Sequence, residues 1–84
     1  MKKIVVPAGI CTEIVKKVEE NGNTWVFDLA HKMVKGGINS IYICASKLSQ
    51  MGILVRVRHG LYRFNSEDGM LMTDTKGNLY FVSK

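Results

Sequence analysis

The stretch ASKLSQMGILVRVRHGLYRF, Ala45–Phe64, decides the fold. Its first part continues a helical stripe, with Ile41, Ala45, Leu48 and Met51 recurring at three- and four-residue spacing. Gly52 stands where such a helix needs a residue of positive φ to end. The period then changes from 3.6 to 2. Ile53, Val55 and Val57 alternate with Leu54, Arg56 and Arg58, which predicts a strand with the first set inward. His59-Gly60 is a two-residue turn candidate, and Leu61–Phe64 returns with Tyr62 and Phe64 facing in and Arg63 out. The stretch therefore reads as a helix, a stop and a basic hairpin.

Upstream, Ile10, Cys11, Ile14, Val15 and Val18 predict a first helix over residues 8–20, stopped by Asn21-Gly22-Asn23. Thr24-Trp25-Val26 is short and β-prone. A second helix is expected around Phe27–Lys35, offering Phe27, Leu29, Ala30, Met33 and Val34 to the core, with Gly36-Gly37 as its breaker. Asn39 or Ser40 is the expected N-cap of the third helix. Outside this block, Lys2–Val6 ends at the only proline and reads as a strand. Met70–Thr73 and Leu79–Val82 flank a polar turn and predict a second hairpin near residues 69–83.

Helix, short strand, helix, glycine turn, helix, glycine, basic hairpin is an order similar to that of winged helix-turn-helix domains. The resemblance rests on Ala45–Phe64 and covers roughly Ile10–Asn65. The segment VRVRHGLYRF, residues 55–64, also resembles the wing of abortive-infection antitoxin N-terminal domains, which are autoregulating DNA binders. The implied fold class is α+β: one winged helix-turn-helix domain over residues 1–84, with three helices, a β-hairpin wing and extra short terminal strands around a core at about 8–65. The implied function is sequence-specific binding of double-stranded DNA by a transcription regulator acting as a homodimer.

Charge agrees with that expectation. The 84-residue chain has a formal net charge of +5. Residues 23–65 carry Lys32, Lys35, Lys47, Arg56, Arg58 and Arg63 against Asp28 alone, which is the whole excess. The flanking segments are +1, from four lysines against three glutamates in residues 1–22, and −1, from two lysines against three acids in residues 66–84. A polyanion is the partner such a segment suits, and a basic solvated surface is the alternative.

A helix fits the major groove, so the outward residues of the third helix are the candidate readers. The outward set is Asn39, Ser40, Tyr42, Ile43, Ser46 and Lys47, in which Asn39 suits adenine, Tyr42 and Ser46 suit bases or phosphates, Ile43 suits a thymine methyl, and Lys47 suits a phosphate. Packing against a neighbouring element is the alternative for Tyr42 and Ile43. Arg56, Arg58 and Arg63, read as sharing one hairpin face, suit backbone or minor groove. Lys32 and Lys35, on the second helix, suit a clamp on the backbone beside the groove, with plain solvation as the alternative.

Other chemistries find little footing. His31 and His59 lack metal-ligand spacing, Cys11 and Cys44 lack a CxxC or CxxH pattern, and no phosphate-binding glycine loop is present. No cofactor, catalytic residue or small-molecule ligand is therefore expected. The cysteines read as free thiols, with a disulfide as the alternative. No signal peptide or membrane span is read, and a cytoplasmic location is expected. A winged-helix protein-interaction module and a structured-RNA binder are the rival readings. The apolar terminal strands either fold back on the first helix or pair with a second copy. The second is the expectation, because DNA sites are often palindromic.

Overall fold

A computed structural model describes residues 2–32 and 37–84. Its elements are β1 (Lys3–Val5), α1 (Ile10–Asn21), β2 (Thr24–Trp25), α2 (Val26–Lys32), α3 (Ile38–Gln50), β3 (Leu54–Arg58), β4 (Leu61–Phe64), β5 (Gly69–Thr73) and β6 (Leu79–Ser83). Among the described residues the domain is α+β, with three helices and two antiparallel three-stranded sheets ordered β1-β6-β5 and β2-β4-β3.

α1 and α3 bury the stripes their sequences offer. Cys11, Ile14, Val15 and Val18 of α1 face Ile41, Ala45 and Leu48 of α3, and Val26 and Leu29 of α2 complete the helical side. The β2-β4-β3 sheet adds Leu54, Tyr62 and Phe64, and the second sheet adds Leu79 and Phe81. Phe64 and Phe81 meet edge to face with centroids 5.7 Å apart, so one aromatic pair joins the two sheets. The terminal strands therefore fold back into their own chain: β1 pairs with β6, and β6 with β5.

Several sequence expectations change. Phe27 is exposed and lies edge-on to His31, while Val26 takes the core position at the head of α2. Asn39 and Ser40 do not cap α3. The helix begins at Ile38 on Gly37, whose carbonyl accepts from the Ile41 amide at 3.1 Å, so both polar residues are inside the first turn. The expected positions of Met33, Val34, Lys35 and Gly36 lie outside the described residues.

The strand after α3 also has a different phase. Ile53 and Leu54 are both buried, which simple alternation forbids. Ile53 belongs to the helix end and not to the strand. Its amide donates to Leu48 O at 3.0 Å and the Gly52 amide to Ser49 O at 3.1 Å, a Schellman pair of bonds with Gly52 at φ 84°. That motif brings Ile53 onto Leu48, and the pleat starts one residue later at Leu54. Asn65 then fixes the junction, donating from Nδ2 to Gly52 O at 2.8 Å and to Asp68 Oδ2 at 3.0 Å.

Candidate functional site

The register of the β3–β4 hairpin sorts the arginines. Leu54 pairs with Phe64, Val55 with Arg63 and Arg56 with Tyr62. Partners in an antiparallel ladder share a face. Arg56 thus stands on the inner face with Leu54, Tyr62 and Phe64, at the exposed rim of the core. Val57 is an extra residue, so Arg58 pairs with Leu61 and returns to the outer face with Val55 and Arg63. The expected single face of three arginines is therefore two faces, divided by a bulge.

Arg63 differs in its partners as well. It bonds Glu67 at 3.0 Å and reaches Phe64 O at 3.5 Å, beside the end of α1. The count of residues 23–65 against Asp28 alone leaves out this acid, which stands just beyond that segment. An exposed ion pair is worth at most about 1 kcal/mol, so Glu67 alone would not keep Arg63 from an anion. Its place beside the end of α1, away from the turn tip and the groove, separates it from the other two arginines.

Between α3 and the inner rim of the hairpin runs a groove of about 450 Å³. Tyr42, Ile43, Ser46, Lys47 and Gln50 line it from α3, and Arg56, His59 and Tyr62 from the hairpin. No carboxylate is among the lining residues. Lys47 and Arg56 give the groove two positive charges, one from each wall, and His59 adds an imidazole ring.

Tyr42 ties the two walls together. Its ring stacks on His59 at 6.0 Å with a 28° interplanar angle, and its hydroxyl lies over Gly60. A Cβ on Gly60 would stand 3.0 Å from that oxygen, and φ there is +81°. A glycine at the turn tip thus serves both the turn and the close approach of α3. His59 keeps negative φ, since no residue other than glycine is positive among the described residues. Tyr42 is half-buried, so it is first a packing residue.

The remaining expected residues sort by exposure. Asn39, Ser40, Ile43, Ser46 and Lys47 are exposed along α3, Ile43 at 68%. They form a solvent-facing stripe that leads from the helix N-terminus into the groove. Arg58 is exposed beside the hairpin turn, and Lys32 is exposed on α2, outside the groove. Lys35 lies outside the described residues.

Sequence reasoning missed Gln50, and took His59 for a turn residue and Tyr62 for core alone. Gln50 was findable, because it follows Ile43, Ser46 and Lys47 at helical spacing. His59 required the Tyr42 stack, which no local pattern announces.

No group of three or more His, Cys, Asp or Glu side chains that could hold a metal occurs among the described residues. No helix there is long and apolar enough to cross a membrane. Compared with known proteins, the chain matches no family model, no curated protein and no solved structure.

Proposed function

We propose that the protein is a winged-helix, sequence-specific binder of double-stranded DNA that acts as a transcription regulator. The observation that carries this reading is the groove between α3 and the β3–β4 hairpin, cationic on both walls and free of carboxylates. In this reading α3 enters the major groove. Asn39, Ser40, Ile43 and Ser46 meet base edges, and Lys47 meets a phosphate. The hairpin is the wing, with Arg56 toward the DNA backbone at the mouth of the groove and Arg58 at the wing tip. Arg63 is not part of the interface.

The partner protein is a second copy of the chain. The outer face of β1-β6-β5 supports this. Val5, Met70 and Met72 are each more than half exposed, and the register sets them on one face with Tyr80 and Val82. The strands of this sheet carry a single charge, Lys3, which the register sets on the same face opposite Val82 and which lies 4.2 Å over the Tyr80 ring, whereas residues 23–65 hold the +5. Two copies meeting there would bring one lysine from each together, less like charge than the middle of the chain carries, and a two-fold dimer would present two α3 helices to successive major grooves.

The test is binding to a DNA site selected from a random duplex pool, measured across salt. Lys47, Arg56 and Arg58 neutralising three phosphates predict a log–log slope of about −2.7 per protomer. The same apolar face favours a second reading, a winged-helix protein-interaction module. A pool that yields no enriched site, with affinity flat in salt, would select that reading instead.

A further inference from the structure

The facing stripes of α1 and α3 each carry one cysteine. Cys11 heads the α1 stripe of Cys11, Ile14, Val15 and Val18 and is buried. Cys44 lies in the α3 stripe between Ile41 and Leu48, packs against the core and is partly open to solvent. Both are free thiols. Burial, and then the adjacent Cys44 thiol, push the Cys11 thiol up to about 11, with Lys47 opposing. Two thiols set side by side across a helix–helix contact, one accessible and one enclosed, have the arrangement of an attacking and a resolving sulfur.

We propose that Cys11 and Cys44 form a redox-modification site, in which peroxide oxidises Cys44 and Cys11 closes the product into an intramolecular disulfide that staples α1 to α3. The Cys44 thiolate attacks one peroxide oxygen, the O–O bond breaks and hydroxide leaves, giving a sulfenic acid. The Cys11 sulfur attacks the Cys44 sulfur, the S–O bond breaks, and the Cys11 proton leaves with the departing oxygen as water. Overall, two thiols and one hydrogen peroxide give one disulfide and two waters. Burial of Cys11 makes the second step the slow one, since its thiolate is scarce at neutral pH. Closure is still favoured over reaction between molecules, because the resolving thiol is already in place beside Cys44. The staple holds the exposed stripe of α3 against α1, and the chemistry does not depend on what that stripe binds.

The full chain is treated with hydrogen peroxide and followed by intact mass, thiol titration after unfolding, and peptide mapping without reductant. The expected product is a single chain lighter by two hydrogens, with the Cys11 and Cys44 peptides joined. Its thermal midpoint is raised, and dithiothreitol restores both mass and midpoint. In Cys11→Ser the sulfenic acid on Cys44 persists and is trapped by a carbon nucleophile such as dimedone. Cys11→Ala provides the same test if serine is not tolerated in the core, and the wild-type result stands without either variant. The proposal is overturned if wild-type protein gains oxygen on Cys44 while Cys11 still titrates. A disulfide that links two chains would also overturn it. So would two unreacted thiols at peroxide levels that oxidise a free cysteine peptide.

Discussion

Arg56 and Arg63 are chemically identical and seven residues apart, yet the hairpin register gives them opposite surroundings. Arg56→Ala removes a cation from the groove wall and is expected to weaken binding to selected and random duplexes alike, with the salt slope falling by about one unit. Arg63→Ala removes a side chain already paired with Glu67 on the other face, and is expected to leave DNA affinity within a factor of about two. Gel-shift titrations of the two variants side by side measure this, and equal losses would mean that the two hairpin faces are not distinguished. On α3, Asn39→Ala and Ser46→Ala are expected to cost about 1–3 kcal/mol at the selected site and little elsewhere. Because Gly37 and not Asn39 is the N-cap, the Asn39 variant should keep its thermal midpoint. A lowered midpoint would assign its effect to folding.

The elements of this fold were legible where a local rule governs them. The α1 and α3 stripes, the stop at Gly52 and both hairpins follow from period and turn chemistry alone, whereas the α2 stripe was read one residue late, from Phe27 instead of the buried Val26. The phase of β3 was not legible, because alternation was counted from Ile53, a residue that the helix end had already claimed. The Val57 bulge was not legible either, since no side chain marks which residue of VRVR is extra. Together these two shifts explain why the arginine face was misread. Two glycine substitutions test the element ends by different physics. At Gly52 an added methyl meets nothing within 4 Å, so Gly52→Ala carries only the cost of positive φ, about 1–2 kcal/mol. At Gly69 the methyl would stand 2.5 Å from Val82 O and 2.6 Å from Phe81 Cζ, so Gly69→Ala must push β5 from β6 and is expected to cost more. Urea midpoints order the two, and a reversed order would contradict the β5–β6 packing. The β5–β6 turn adds a pH test. Asp74 accepts from the Lys76 and Asn78 amides, both at 2.9 Å, and from the Tyr80 hydroxyl at 3.0 Å. The Asn78 amide is the main cause holding its carboxyl below the usual range. A depressed folded-state value means stabilisation that is present above the unfolded carboxylate value of about 3.9. It is lost as pH falls through the folded value. Carboxyl NMR titration should show Asp74 protonating at lower pH than an ordinary aspartate, and an ordinary midpoint would remove the turn.

For the whole molecule, the outcome least visible in the sequence is the partnership of β1 with β6, because its residues lie at opposite ends of the chain and no local signal joins them. The same pairing decides how dimerisation must be tested. Removing residues 69–84 would take Leu79 and Phe81 out of the core and unfold the protein, so truncation cannot report on association. Met70→Glu with Met72→Glu changes only the outer face. Sedimentation at tens of micromolar is expected to give a dimer for the wild-type chain and a folded monomer for the double variant. A wild-type monomer would refute the dimer, and a variant that still dimerises would move the interface elsewhere. The pairing has one further consequence. The Lys2 amide donates to Ser83 Oγ at 2.9 Å and the Ser83 amide to Lys2 O at 2.8 Å, so chain entry and chain exit are a hydrogen bond apart. A fold in which residues 2 and 83 adjoin can be spliced through those positions into a surface loop of a host protein without prying that loop open, and the two positions can be joined and the chain reopened at the exposed Lys76-Gly77 turn. In such a graft the host would feel a short tether, while α3 and the hairpin would keep their geometry.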